Sequence, residues 1–173
     1  MEYSQEEYMK HYIIQALFKL MNEYSFEKIT VTDIVNKAGV GRATFYRHFK
    51  TKEDVLVYFF NHTTRGFIAE QRYYPRCKQD YKDIIKRVFT LFKEQKEQLK
   101  LLRKAHLEYL YLNYLNDGFS KMFQSTFPEE SKFKPLMYSG MLFNVSIAWL
   151  DEDCKTSIDE LSELLIDAIY FKD

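Results

Sequence analysis

Apolar side chains recur at three- and four-residue spacing along most of the chain, which is the pattern of amphipathic helices. Shorter helices are predicted over residues 31–38, 42–48 and 99–103. Longer helices are predicted over residues 5–24, 52–70, 81–96, 106–126, 135–151 and 156–171. With 5 Gly and 3 Pro among 173 residues, the chain has few of the turn residues that a β-sandwich or barrel needs. The expected fold is therefore all-α, with about nine helices.

Local signals divide the segment before residue 50 into two short helices joined by a tight turn. Thr30 and Asp33 have the spacing of a capping box, with Asp in place of the usual Glu or Gln. Gly39 follows the first short helix, where a left-handed residue commonly ends a helix. Gly41 stands where the second short helix would be capped. The pair has the size and the turn of a helix-turn-helix, preceded by a third helix.

The second short helix lies in a basic and aromatic stretch, GVGRATFYRHFKTKEDVL (39–56). Residues 34–52 contain five basic side chains and no acidic one, although the net charge of the chain is zero. Residues 105–173 instead contain 5 Lys and 12 Asp or Glu. A helix fits the major groove of DNA, so the basic stretch is a candidate DNA-binding element. The alternative is a solvated basic turn with two core side chains, Phe45 and Phe49.

The segment ITVTDIVNKAGVGRATFYRHFKTKEDVL (29–56) resembles the DNA-binding segment of TetR/AcrR-type transcriptional regulators. The resemblance implies a bacterial, all-α homodimer. It implies a helix-turn-helix DNA-binding domain over residues 1–52 and a larger helical effector-binding and dimerisation domain over residues 53–173. Gly41 departs from the family pattern, in which Ser or another cap-forming residue is frequent, and this weakens the predicted cap.

The resemblance also implies roles for individual side chains. The positions that face the major groove correspond to Arg42, Ala43, Thr44, Tyr46 and Arg47. The positions that commonly touch phosphate correspond to Thr32, Tyr46, His48 and Lys52. Tyr46 belongs to both groups, and its role stays open. For Lys52, we expect the ammonium and the backbone N–H groups of the next helix to hold one phosphate together.

The last two predicted helices are expected to form the dimer. Residues 141–169 have the pattern of the closing helix pair in the family, with an apolar helix that ends at Trp149 and Leu150 and then a polar corner. The resemblance implies that these helices form a four-helix bundle with those of a second subunit. The alternative is an ordinary pair of core helices. A two-fold dimer would suit a palindromic, double-stranded operator.

Apolar and aromatic side chains between residues 54 and 150 are candidates for the lining of an effector pocket. They are Phe60, Phe89, Phe92, Leu110, Tyr111, Tyr114, Phe119, Met122, Tyr138, Met141, Phe143 and Trp149. A small apolar or aromatic effector would fit such walls. The alternative for each residue is a core position, because aromatic side chains at helical spacing usually belong to a core.

No residue pattern indicates an enzyme or a metal site. The four histidines show no metal-ligand spacing, and no Gly-rich phosphate loop or nucleophile motif occurs. We therefore expect no catalytic residues, no metal and no cofactor. Cys77 and Cys154 are interpreted as buried, reduced thiols. No stretch approaches the roughly 18 apolar residues of a membrane span, and the polar start MEYSQEEYMK is unlike a signal peptide, so a cytoplasmic location without membrane contact is expected.

The resulting hypothesis is a ligand-responsive, sequence-specific transcription factor, and we expect a repressor. Its effector is unidentified, and whether the effector releases or promotes DNA binding stays open. The alternative is a TetR-like co-regulator or adaptor that acts through protein–protein contacts. The balanced charge of residues 1–60, with 8 basic and 8 acidic side chains, leaves that alternative open.

Overall fold

The structure, a computed structural model, describes residues 4–70 and 77–169, which form helices joined by turns and short loops. The helices are α1 (Gln5–Glu23), α2 (Val31–Ala38), α3 (Arg42–His48), α4 (Lys52–Glu70), α5 (Lys78–Glu94), α6 (Lys96–Lys104), α7 (Tyr109–Thr126), α8 (Lys134–Asp151) and α9 (Ile158–Ile169). A 3₁₀ helix, Phe26–Lys28, lies between α1 and α2. The described ranges contain nine α-helices and no strand, so the predicted all-α fold is confirmed.

The largest errors in the predicted boundaries are three residues. Helices α5 and α6 begin three residues earlier than predicted, and α7 begins three residues later. The late start of α7 follows from the way α6 ends. His106 adopts a left-handed conformation, with φ 55°, and Leu107 N–H donates to Leu102 O at 2.9 Å. This arrangement closes α6 as a Schellman motif without the usual glycine. The last two residues of the final predicted helix, 170–171, lie outside the described residues.

The chain forms two compact units. The first unit runs to His62 and includes Lys100–Tyr111, and the second contains Thr63–Leu99 and the chain from Leu112 onwards. The core of the first unit contains side chains that are at most 1% exposed: Ile13, Leu17, Ile34, Phe45, Val55, Leu56 and Leu102. This division by contacts differs from the predicted domain boundary after residue 52. The assignment of functions to residues 1–52 and 53–173 stays a prediction.

The second unit is built around α5, α8 and α9. Phe89 and Ile166 are fully buried, and Trp149 is 2% exposed. Three ion pairs join α5 to α9: Lys78–Asp167, Lys82–Glu163 and Lys86–Asp159. The lysines advance by four residues while their partners recede by four, so the two helices run antiparallel with matched registers.

The two cysteines differ in exposure. Cys154 is buried, as expected, but Cys77 is exposed, so the expectation of a buried thiol is wrong there. Cys77 immediately precedes α5 at its N-cap, where its side chain makes no capping hydrogen bond. Within the described ranges, no helix is both long enough and apolar enough to cross a membrane. The same residues contain no group of three or more His, Cys, Asp or Glu that could hold a metal ion.

Candidate nucleic-acid interface

Helix α2 and the turn after it have the predicted local structure. Thr30 and Asp33 form a reciprocal capping box, in which Asp33 N–H donates to Thr30 Oγ1 at 3.2 Å and Thr30 N–H donates to Asp33 Oδ2 at 2.9 Å. Hydrogen bonds from the Thr30 hydroxyl and backbone hold the pKa of Asp33 below its ordinary value. Gly39 has φ 68°, and Val40 N–H donates to Val35 O at 3.0 Å. The capping box and the left-handed glycine are therefore confirmed.

Helix α3 presents a polar face and is held by an apolar one. Phe45 is fully buried and Phe49 is 4% exposed, with their ring centroids 5.8 Å apart. Gly41 caps the helix through its backbone alone, as its lack of a side chain requires. Four of the five predicted groove-facing residues are exposed, and Thr44 is half-buried; the exposed ones are Arg42, Ala43, Tyr46 and Arg47. The 57% exposure of Tyr46 leaves its ring accessible to a large partner.

Arg42 also links the two helices of the helix-turn-helix. Its guanidinium donates through Nη2 to the Thr32 hydroxyl, at the start of α2. Thr32 itself is half-buried. A predicted base-reading residue and a predicted phosphate-binding residue therefore lie in contact, because α3 begins beside the first turn of α2.

His48 lies in a different environment from the other candidates. Its side chain is 5% exposed, and Nδ1 is 3.6 Å from a carboxylate oxygen of Glu6 on α1. Nε2 is buried without a hydrogen-bond partner. Burial first, and then the charges of Lys10 and Arg47, lower the pKa of His48, although Glu6 opposes them. A buried imidazole that favours its neutral form offers little positive charge to a phosphate, and the predicted phosphate contact of His48 stays a prediction.

Lys52 is also occupied within the first unit. Its Nζ donates to Phe26 O at 2.5 Å and to Ile29 O at 3.0 Å, and it lies 4.2 Å from the centroid of the Phe26 ring. The backbone around it is capped, because Asp54 N–H donates to Thr51 Oγ1 at 3.2 Å. Asp54 Oδ2 in turn accepts from the N–H groups of Lys50 and Thr51. Helix α4 thus has a capping box of its own, and the Lys52 ammonium points at protein carbonyls.

Three of the twelve pocket candidates belong to the first unit and nine to the second. Phe60, Leu110 and Tyr111 are buried in the first unit, where the Phe60 and Tyr111 rings are 5.6 Å apart. Phe89, Phe92 and Trp149 are buried in the second unit. Trp149 lies 5.3 Å from the Phe89 ring and 6.2 Å from the Phe92 ring.

The other six candidates belong to the second unit and are half-buried: Tyr114, Phe119, Met122, Tyr138, Met141 and Phe143. Phe119 stacks on Tyr138 with ring centroids 6.2 Å apart. The Tyr114 hydroxyl shares a hydrogen bond with Thr64, and burial raises the pKa of that phenol. These six retain accessible surface, whereas the other six candidates are buried, and the lining of an effector pocket stays a prediction.

Two sets of residues in the interface were missed by reasoning from sequence. Glu6 on α1 contacts His48, and the carbonyls of Phe26 and Ile29 accept from Lys52. The sequence gives no signal for the accepting carbonyls, because every residue has a backbone carbonyl. Glu6 lies 42 positions before His48, and nothing in either local pattern links them.

The N-terminal part of the chain matches a known family. The family described as "Bacterial regulatory proteins, tetR family" matches residues 13–59, which contain α2 and α3. An HTH-type transcriptional regulator of Staphylococcus aureus is 35% identical over 69 residues, which are 40% of this chain and 36% of the relative. That match thus spans little more than a third of the relative's length. The fatty acid metabolism regulator protein of Bacillus subtilis is 27% identical over 197 aligned residues, covering 99% of this chain and 100% of the relative.

Solved structures resemble the chain over nearly its whole length. A protein of Listeria innocua has a TM-score of 0.80 at 19% identity, covering 98% of this chain and 93% of its own. The transcriptional regulator FadR from Bacillus subtilis, solved in complex with stearoyl-CoA, has a TM-score of 0.54 at 23% identity, covering 91% and 95%. At these identities the likeness concerns the fold. The family match and the exposed basic helix within it identify residues 13–59 as a DNA-binding segment of the TetR-family type.

Proposed function

We propose that the protein is a homodimeric, ligand-responsive repressor that reads a palindromic operator with α3 of each subunit. The observation that carries the proposal is the two-sided character of α3. Phe45 and Phe49 fix the helix from behind, and Arg42, Tyr46 and Arg47 point into solvent. Arginine and tyrosine side chains supply donors for base edges and phosphates, and no acidic side chain lies within residues 34–52 to repel them.

The proposed dimer forms through α8 and α9. Both helices carry large apolar side chains that are exposed in the single subunit: Leu136 (47%), Met137 (70%) and Leu164 (62%). Burial of such side chains is the main driving force for association. A two-fold dimer would place two copies of α3 on half-sites about one helical turn apart.

The proposed effector is a small apolar or aromatic molecule that binds in the second unit. The six half-buried side chains there, Met122, Met141 and Phe143 among them, offer apolar surface. Long-chain acyl-CoA is the first class to test, because the similarly folded Bacillus subtilis regulator was solved with stearoyl-CoA. An effector acts only if it binds the DNA-competent and DNA-incompetent states with different affinities.

In this proposal residues 1–52 bind DNA, residues 53–173 bind the effector and dimerise, and the protein acts in the cytoplasm without catalysis. The test is selection of random duplexes by the purified protein at about 0.15 M salt, followed by sequencing. We expect enrichment of a palindrome with half-sites about one helical turn apart. If a folded dimer enriches no sequence, the proposal that the protein reads DNA sequence fails. The hypothesis of an adaptor then replaces it.

Effector binding is tested separately by titrating stearoyl-CoA into the complex of the protein with the enriched duplex. Free coenzyme A serves as the matched control, because it carries the polar part without the apolar chain. We expect the acyl thioester to release DNA and coenzyme A to leave the complex intact. Equal effects of the two compounds would exclude an apolar site as the origin of the response.

A further inference from the structure

The Lys52 ammonium is bonded inside the first unit on all of its donor positions. It has three N–H donors, and three carbonyl oxygens surround it: Phe26 O at 2.5 Å, Ile29 O at 3.0 Å and Glu27 O at 3.4 Å. The Phe26 ring adds a cation–π contact at 4.2 Å. The contacts to Phe26 and Ile29 are partly buried, so removal of the ammonium would leave carbonyls without this partner.

These contacts join the two ends of the helix-turn-helix. The accepting carbonyls lie on the 3₁₀ helix and just after it, and Thr30, the N-cap of α2, comes next in the chain. The side chains of Phe26 and Ile29 are buried, and this burial holds their backbone carbonyls in place. Lys52 itself stands in the first turn of α4, four residues after the end of α3.

We propose that Lys52 is a positioning residue: it ties the start of α4 to the connection between α1 and α2 and thereby fixes the orientation in which α3 is presented to DNA. The family resemblance places Lys52 among phosphate-binding positions instead. A lysine that served a phosphate would have to leave three protein carbonyls, whereas the proposed role keeps them satisfied in both the free and the DNA-bound protein.

The two roles differ in measurable ways. Loss of a phosphate contact weakens binding to every sequence and reduces the salt slope of the binding constant by about 0.9. Loss of a positioning contact misplaces base-reading groups, so specific binding falls while non-specific binding and the salt slope stay unchanged. A contact that serves only stability changes none of these quantities once the protein is folded.

The first measurement concerns the free protein, so it does not depend on DNA. Lys52→Met keeps most of the aliphatic stem and removes the donors. Lys50→Met is the matched control, because Lys50 is exposed and joins the α4 cap through its backbone only. We expect backbone amide exchange at residues 29–33 to become faster in Lys52→Met and to stay unchanged in Lys50→Met. Unchanged exchange in Lys52→Met would overturn the anchoring role.

The second measurement compares the enriched palindrome with a scrambled duplex at three salt concentrations, under conditions in which each variant is folded. This measurement rests on the proposed function, in which the protein binds a specific DNA sequence. For Lys52→Met we expect about a tenfold loss on the palindrome, comparable to the loss of one base contact, with non-specific binding and the salt slope unchanged. An equal loss on both duplexes with a lower slope would assign Lys52 to phosphate, and no loss on either would reduce it to a stability role.

A second variant keeps the proposal testable if Lys52→Met does not fold. Lys52→Arg retains the charge, so a phosphate contact would survive, but a planar guanidinium cannot place its donors on three carbonyls arranged for an ammonium. We expect Lys52→Arg to lose specificity while its salt slope stays that of the wild type. Full retention of specificity would overturn the proposal. If the wild type itself prefers no sequence, the proposed function has failed, and amide exchange alone still decides whether Lys52 anchors the connection.

Discussion

The two units use their aromatic residues in opposite ways. In the first unit a seven-residue helix, α3, keeps Phe45 buried for packing and Tyr46 exposed, where its ring is accessible for the proposed contact with DNA. In the second unit Trp149 packs against Phe89 and Phe92, and the half-buried candidates lie on α7 and on α8, the helix that also carries Trp149. In a short amphipathic helix the role of a side chain depends on the face on which it lies. In a helical core it depends on how deeply the side chain is buried. The roles of Phe45 and Tyr46 can therefore be predicted from local helical spacing, whereas roles in the second unit cannot.

The largest expected effect is the loss of a buried aromatic anchor in either unit. Phe45→Ala and Phe89→Ala each remove a fully buried ring, and each should lower the free energy of unfolding by about 3–5 kcal/mol. Denaturant unfolding followed by circular dichroism measures the change.

Tyr46→Ala is the control beside Phe45, because Tyr46 is 57% exposed. It should change the free energy of unfolding by no more than about 0.5 kcal/mol and still weaken DNA binding. A Tyr46→Ala variant as unstable as Phe45→Ala would contradict the separation of packing from recognition in α3.

A smaller effect is expected from the exposed reading face. Arg47→Ala should weaken binding to the enriched palindrome by about 1–3 kcal/mol if the guanidinium makes a bidentate base contact. Binding to a scrambled duplex should change much less, and fluorescence anisotropy on both duplexes gives the comparison. Equal losses on every sequence would remove Arg47 from the base-reading residues and leave it a phosphate contact.

Substitutions of the two glycines in the turn between α2 and α3 should change stability in opposite directions. Gly39 has φ 68°, so Gly39→Ala forces an alanine into the left-handed region and should cost about 1–2 kcal/mol. Gly41 has φ −79°, and a Cβ there would meet nothing within 4 Å, so Gly41→Ser should stabilise the protein by about 0.5 kcal/mol. Thermal unfolding of both variants measures the difference, and equal signs would show that the turn is not held as described.

The smallest expected effect is a pH dependence that originates at His48. Burial lowers the pKa of His48 below 6.5 in the folded protein, so between the two pKa values the unfolded chain binds more protons. Stability contributed by the neutral imidazole is therefore fully present above pH 6.5 and is lost as the pH falls through the folded pKa. Wild type should lose more stability than His48→Gln between pH 7 and pH 5 (about two units). Parallel curves would mean that His48 does not titrate on unfolding.

Most of the fold follows from sequence because its signals are local. Helical periodicity placed the nine helices, and Thr30, Asp33 and Gly39 marked the ends of α2 through contacts within five residues. The start of α7 was missed because His106 occupies a left-handed position that glycine usually fills. A non-glycine residue there gives no sequence signal.

The candidate interface could be predicted from sequence only where its residues are exposed. Arg42, Ala43, Tyr46 and Arg47 lie on the solvent face of α3, as the helical pattern requires. His48 and Lys52 continue the same basic pattern, but His48 contacts Glu6 and Lys52 donates to three backbone carbonyls. For the pocket candidates the limit is more general, because core and pocket side chains share the same helical spacing and differ only in depth.

The central claim is that α3 reads sequence, and the most direct test compares two affinities of the wild-type protein at one salt concentration. One duplex is the palindrome enriched by selection, and the other is a scrambled duplex of identical length and composition. The account predicts that the palindrome binds at least about 10³-fold more tightly. A ratio near one, measured with a folded dimer, would contradict sequence reading by α3 and favour an adaptor that acts through protein contacts.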